Sequence, residues 1–131
     1  MNSIPVMDPE RTSGYRIHEI HLSGEDGLTA VVEFLSESHW FAGHFPGKPV
    51  LPGIAQMGTV FDLMKQGVNP CLKLEEFKRV RFKQLIKPDT PITVLVEPQD
   101  KIRGLSGFRL MVNGEVSCSG LIRVSRQETS W

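Results

Sequence analysis

The chain has 131 residues, 40% of them hydrophobic and 23% charged, with 15 Lys plus Arg set against 15 Asp plus Glu. That length predicts one domain over 1–131, large enough to bury a core without metal or disulfide staples. The composition excludes disorder, the zero net charge excludes a global field for nucleic acid or anionic membrane, and the absence of ~18 consecutive apolar residues excludes a membrane-inserted helix.

Residues 1–13 carry Pro5, Pro9 and little periodicity, and are expected to be a flexible arm; MNSIPVMDPERTSG has no basic-then-apolar layout of a signal peptide, so a cytoplasmic location is expected. Tyr15 to Leu22 alternates with a mixed pattern: Tyr15, Ile17, Glu19 and His21 on one face, Arg16, His18, Ile20 and Leu22 on the other. A Gly24-Glu25-Asp26-Gly27 turn and the β-branched run LTAVVEFL over 28–35 complete a hairpin. Ser36 to Pro52, with three prolines, two glycines and several aromatics, reads as a shaped loop.

The stretch GIAQMGTVFDLMKQ over 53–66 places Ile54, Met57, Phe61 and Met64 at helical spacing, with Val60 beside them. Pro52 before it and Gly67 after it punctuate a helix of about four turns. It is too apolar for a surface helix, so a sheet is expected to wrap it. Strands are then expected over 74–86, 92–97, 107–112 and 115–124, with a turn at Pro88-Asp89-Thr90-Pro91 and a tight hairpin at Asn113-Gly114. Cys71 and Cys118 lack CxxC spacing and are expected to be buried, reduced thiols; no histidine or cysteine set has metal-ligand spacing.

The informative stretch is WFAGHFPGKPVLPG over 40–53. Gly43-His44-Phe45-Pro46, Pro49-Val50 and Pro52-Gly53 match, in residue and spacing, the signature GHFPxxPVxPG. The chain therefore resembles the 3-hydroxyacyl-acyl carrier protein dehydratases of bacterial fatty acid synthesis, and more weakly so through VRFKQLIKPDTPITVLVE over 80–97. The GHFPGKPVLPGIAQ run is also similar to dehydratase-like proteins of aryl polyene pathways. The resemblance implies an α+β hot-dog fold, an antiparallel sheet around one central helix. It also implies a homodimer or higher homo-oligomer with an acyl tunnel at the subunit interface. The substrate would ride on the phosphopantetheine of an acyl carrier protein, with no further cofactor. By the same resemblance His44 is the catalytic histidine, the backbone N–H of Gly53 the oxyanion donor, and a carbonyl near Val50 the group that orients the histidine.

Elementary chemistry agrees with those roles. Dehydrating a β-hydroxyacyl thioester removes a proton from Cα and expels hydroxide from Cβ. Histidine titrates near working pH and suits the proton step. The thioester oxygen gains negative charge, which a helix N-terminus with unpaired N–H groups stabilises. Phe45, Val50, Met57, Gly58 and Phe61 are the candidate tunnel lining, although a stripe at helical spacing serves equally as core.

One departure bears on function. The family has Glu or Asp fourteen positions after the histidine, where this chain has Gly58. Asp62 lies four residues later on the same helical side and is the only acidic residue of the helix. Among apolar neighbours its pKa would rise, as a general acid needs; alternatively it reaches solvent or pairs with a basic residue. A basic run, Lys78-Arg79-Val80-Arg81-Phe82-Lys83 with Lys87, could steer an acidic carrier protein or be a solvated strand face. Dehydration is the leading reading. A hot-dog thioesterase with Asp62 as base, and a non-catalytic acyl-binding partner subunit, are the alternatives that Gly58 leaves open.

Overall fold

The computed structural model describes residues 14–41 and 49–126; the N-terminal arm over 1–13 lies outside them. The elements are β1 (Tyr15–Ser23), β2 (Gly27–Phe34), a single 3-10 turn over His39–Phe41, α1 (Gly53–Gly67), β3 (Leu72–Phe82), β4 (Pro91–Asp100), β5 (Leu105–Val112) and β6 (Glu115–Arg126). All strands join one antiparallel sheet in the order β1-β2-β4-β5-β6-β3. The expected order of two strands, one helix and four strands is thus the observed one, with β1 and β3 as edges.

The helix forces that sheet to curl. It packs against β1 and β3, the two edges, as well as β2. In a flat sheet the edges of six strands would stand roughly 24 Å apart at ~4.8 Å per strand, twice the ~10–12 Å width of a helix. A single helix reaches both edges only if the sheet wraps it, which is the hot-dog arrangement. Between them lies a continuous core built from Leu28, Val32, Ile92, Val94, Val96, Leu110 and Ile122 of the strands and Val60, Leu63 and Met64 of the helix.

Bulges resolve the mixed strand patterns. The β1 register slips between Ile17 and Glu19. A slip of one residue exchanges the faces, so Tyr15, Ile17 and Ile20 are all buried and Glu19 is exposed. In β3 a second slip, between Lys78 and Arg81 with Arg79 at φ 53°, lets both Phe77 and Val80 pack against the core. That strand ends at Phe82, short of the expected Ile86, because the N–H groups of Lys83 and Gln84 both turn to the Ser117 carbonyl, at 2.8 and 3.3 Å. At the β5–β6 turn Asn113 and Gly114 have φ 52° and 80°, the left-handed pair that this dipeptide predicts.

Two expectations are corrected. The sheet-facing stripe of α1 is Ala55, Gln56, Thr59, Val60, Leu63 and Met64. Ile54 is 68% exposed, while Met57 and Phe61 are half-buried. Apolar residues occupy both sides of this helix, so spacing alone did not reveal which side meets the sheet. Of the two thiols, Cys118 is buried in β6 as expected, but Cys71 is exposed just before β3, in a turn closed by its N–H donating to Asn69 Oδ1 at 2.8 Å.

Candidate active site

The site is built around the start of α1. Pro52 precedes it in extended conformation (φ −62°, ψ 150°) and supplies no side-chain cap. Its carbonyl accepts the N–H groups of Ala55 and Gln56 at 3.1 and 3.2 Å. Among the described residues no acceptor takes the N–H groups of Gly53 and Ile54, the positive end of the helix. The approach is anchored from behind. Leu51, fully buried, donates its N–H to Ile86 O at 2.8 Å, and its carbonyl accepts Gln56 Nε2 at 3.2 Å. These bonds fix Leu51 and Pro52, the last residues of the motif before the helix.

Gly53 lets the ring of Phe82, at the end of β3, approach the helix start: a Cβ there would lie 2.6 Å from that ring, which would have to move aside. Phe82 is half exposed; Ile54, next to Gly53, and Leu85, next to the Ile86 whose carbonyl holds Leu51, expose 68% and 75% of their surface. Apolar surface therefore borders the helix N-terminus.

Farther along, Gly58 is exposed, and a Cβ built on it meets no atom within 4 Å. Among the described residues neither packing nor backbone geometry demands glycine there. Asp62, one turn on, is half-buried, and burial pushes its carboxyl pKa up while Lys65 opposes the shift. It thus has the elevated pKa expected of an acid. From Gly53 to Asp62 the helix rises about 13 Å and turns through roughly half a revolution. One ligand cannot touch both the Gly53 amide and the Asp62 carboxyl of the same helix unless it spans that length. Of the candidate lining, Val50, Met57 and Phe61 are half-buried. His44 and Phe45 lie outside the described residues.

A cavity of about 670 Å³ lies elsewhere, between the C-terminal half of α1 and β4–β6, with Met64, Val68, Leu105 and Ser106 in its lining. Its cations are each engaged by a carboxylate: Arg123 and Lys78 by Glu76, Arg126 by Asp26, Lys101 by Glu25, and Arg103 by Asp100. It shares no residue with the helix start. No cluster of three or more His, Cys, Asp or Glu that could hold a metal occurs among the described residues. No helix there is long and apolar enough to cross a membrane.

Two residues of this region escaped sequence reasoning. Phe82 was visible only as part of a basic strand, and its approach to Gly53 depends on where β3 stops. Gln56 holds the loop carbonyl of Leu51 from inside the helix; a Gln within a mostly apolar helix was its only signal in the sequence.

The comparisons with known proteins converge. Residues 21–121 match the family model of the ApeI-like group, described as ApeI dehydratase. The chain is 30% identical over 135 residues to the 3-hydroxyacyl-[acyl-carrier-protein] dehydratase FabZ of Clostridium perfringens, covering 93% of this chain and 94% of that protein. It is 33% identical to the FabZ of Pelotomaculum thermopropionicum over 120 residues, 82% and 81% of the two chains. In structure it is similar to the dehydratase heterocomplex ApeI:P from Xenorhabdus doucetiae, with a TM-score of 0.76 at 22% identity over 84% of this chain and 96% of that one. The uncharacterized protein PH1136 from Pyrococcus horikoshii matches with a TM-score of 0.73 at 17% identity, over 98% and 97% of the chains. These two likenesses bear on the fold alone.

Proposed function

The chain belongs to the ApeI-like dehydratase family, and from that membership we propose that it removes water from a β-hydroxyacyl thioester carried on an acyl carrier protein. The observation that carries the reading is the uncapped helix start at Gly53, reached through an intact GHFPxxPVxPG motif. In this mechanism His44 takes the Cα proton. The Gly53 N–H holds the thioester oxygen as the electron pair moves onto it. Collapse of the enolate forms the Cα–Cβ double bond and expels the β-hydroxyl, which Asp62 protonates so that it leaves as water. The reaction is a hydro-lyase step in fatty acid or related acyl-chain synthesis. It needs no cofactor beyond the pantetheine arm of its substrate, and a cytoplasmic location suits it.

The homodimer enters through geometry. Because Asp62 and Gly53 of one helix stand about 13 Å apart, the acid that serves one Gly53 comes from a second copy. The apolar surface of Ile54, Phe82 and Leu85 borders the place where that copy would sit. Thioester hydrolysis and a purely acyl-binding role are not favoured, since the family and its named relatives are dehydratases.

The test is to incubate the protein with a 3-hydroxyacyl carrier protein and follow loss of one water by mass spectrometry. His44→Ala and Asp62→Asn should each lower turnover at least ~10²-fold. Mixing the two inactive variants should restore about a quarter of wild-type activity, because half of the exchanged dimers hold one intact composite site. Full turnover by Asp62→Asn would remove that residue as the acid, and free acid as the product would replace dehydration by hydrolysis.

A further inference from the structure

The cavity at the C-terminal half of α1 has a polarity that the proposed reaction does not use. Leu72 and Arg126 stand opposite each other across β3 and β6, as Ser106 and Ile122 do across β5 and β6. Leu72 and Ile122 belong to the core that holds the helix, and directly opposed residues share a face of the sheet. Ser106 and Arg126 therefore lie on the helix side, where Met64, Val68 and Leu72 supply an apolar wall. Ser106 is 6% exposed and lines the cavity, yet its hydroxyl has no hydrogen-bond partner among the described residues. A buried hydroxyl left unpaired is costly, so one that opens onto a cavity points to a polar group on a ligand.

The rim complements that hydroxyl. Arg126 meets Asp26 through Nη2 alone, at 3.5 Å, with both side chains well exposed. An exposed pair of that length holds weakly and leaves most of the guanidinium fork for a second acceptor. Around the cavity five cations meet four carboxylates, because Glu76 serves both Lys78 and Arg123. The turn that carries Lys101 and Arg103 is fixed in place: Gly104 N–H donates to Lys101 O at 3.2 Å, and Val124 N–H donates to Gly104 O at 2.9 Å. We infer that the cavity is a second ligand site, for an alkyl carboxylate: a free fatty acid of medium chain length. Its carboxylate accepts the Ser106 hydroxyl and the Arg126 guanidinium, and its chain lies along Met64, Val68 and Leu72. The volume, about 670 Å³, suits a small-molecule site, typically roughly 300–1,000 Å³. The inference does not depend on the dehydration reading, since the cavity shares no residue with the helix start.

Decanoate is the probe. In protein labelled at its methionine methyl groups, decanoate should shift the signal of Met64, on the sheet-facing side of α1, and leave that of Met57 in place. Ser106→Ala and Arg126→Gln should each weaken binding about 10-fold by calorimetry, the loss of one hydrogen bond to a charged group. Both variants should melt as the wild type does, because one loses an unpaired oxygen and the other an exposed charge at a strand end. Decylamine, with the same chain and the opposite charge, should not bind. A shift at Met57 instead of Met64 would put the ligand in the acyl site. Equal affinity for decylamine would reduce the contact to apolar partition, and wild-type affinity in both variants would place the head group elsewhere. Each of these results overturns the inference, as does a failure of millimolar decanoate to bind.

Discussion

Asp62 shows at the scale of one residue how a site can oppose stability. Burial raises its carboxyl pKa in the folded chain, with Lys65 only partly offsetting the shift. Between the unfolded value, ~3.9, and the higher folded value, the native state holds more protons than the unfolded one, so stability falls as pH rises through that window. Above the window the folded chain keeps a charge that water would solvate better. Asp62→Asn is therefore expected to raise the urea midpoint at pH 7 and to lose that advantage below about pH 4, where the carboxyl is neutral in both states. A midpoint unchanged at pH 7, or an advantage that persists at pH 3, would show that burial does not disfavour the charged carboxyl.

At the scale of the element, α1 contains a glycine with no conformational reason to be there. An interior glycine costs a helix ~0.5–1 kcal/mol relative to alanine. At Gly58 the added methyl would touch nothing within 4 Å, so Gly58→Ala should stabilise the fold by about that amount, read as a shift of the denaturation midpoint. A destabilised Gly58→Ala would mean that the assembled protein packs something against that turn. The same helix marks what sequence could reveal. Its ends were readable, because Pro52 and Gly67 bracket the apolar run. Its sheet-facing side was not, because Ile54, Met57 and Phe61 are as apolar as the residues that meet the sheet. Strand order and the Asn113-Gly114 hairpin were legible for the same kind of reason: turn residues and β-branched runs have local causes. The bulges after Ile17 and Lys78 had no such signature. They are set by which residues the core accepts, and a period-2 reading assigns Ile20 and Val80 to the wrong side until the slip is seen. The motif at His44 was legible by resemblance; the half-burial of Asp62 was not, because it depends on which side of α1 meets the sheet.

Over the whole molecule the zero net charge conceals an uneven pairing of charges. At the end of the sheet near the α1 C-terminus, Arg126 meets Asp26, Lys101 meets Glu25, and Arg123 meets Glu76. Around the end of β3, by contrast, Arg79, Arg81, Lys83 and Lys87 are exposed and have no carboxylate partner among the described residues. Phe82, in the middle of this run, reaches Gly53 at the helix start. Cations with no carboxylate partner among the described residues thus gather beside the proposed thioester site, where on the proposed function an acidic carrier would bring its pantetheine arm. Exposed charges of this kind act mainly on the rate of encounter and are screened beyond ~10 Å at 0.1 M salt. Arg81→Glu with Lys83→Glu should therefore slow carrier-protein association about 10-fold at low salt, with the difference largely erased near 1 M salt. Reversing Lys101 and Arg126, whose charges are already engaged at the far end, should change association much less. Surface plasmon resonance across a salt series reads both pairs. Equal losses at the two ends would point to a general charge effect rather than a docking patch, and a salt-independent loss at Arg81 and Lys83 would point to a distorted strand end.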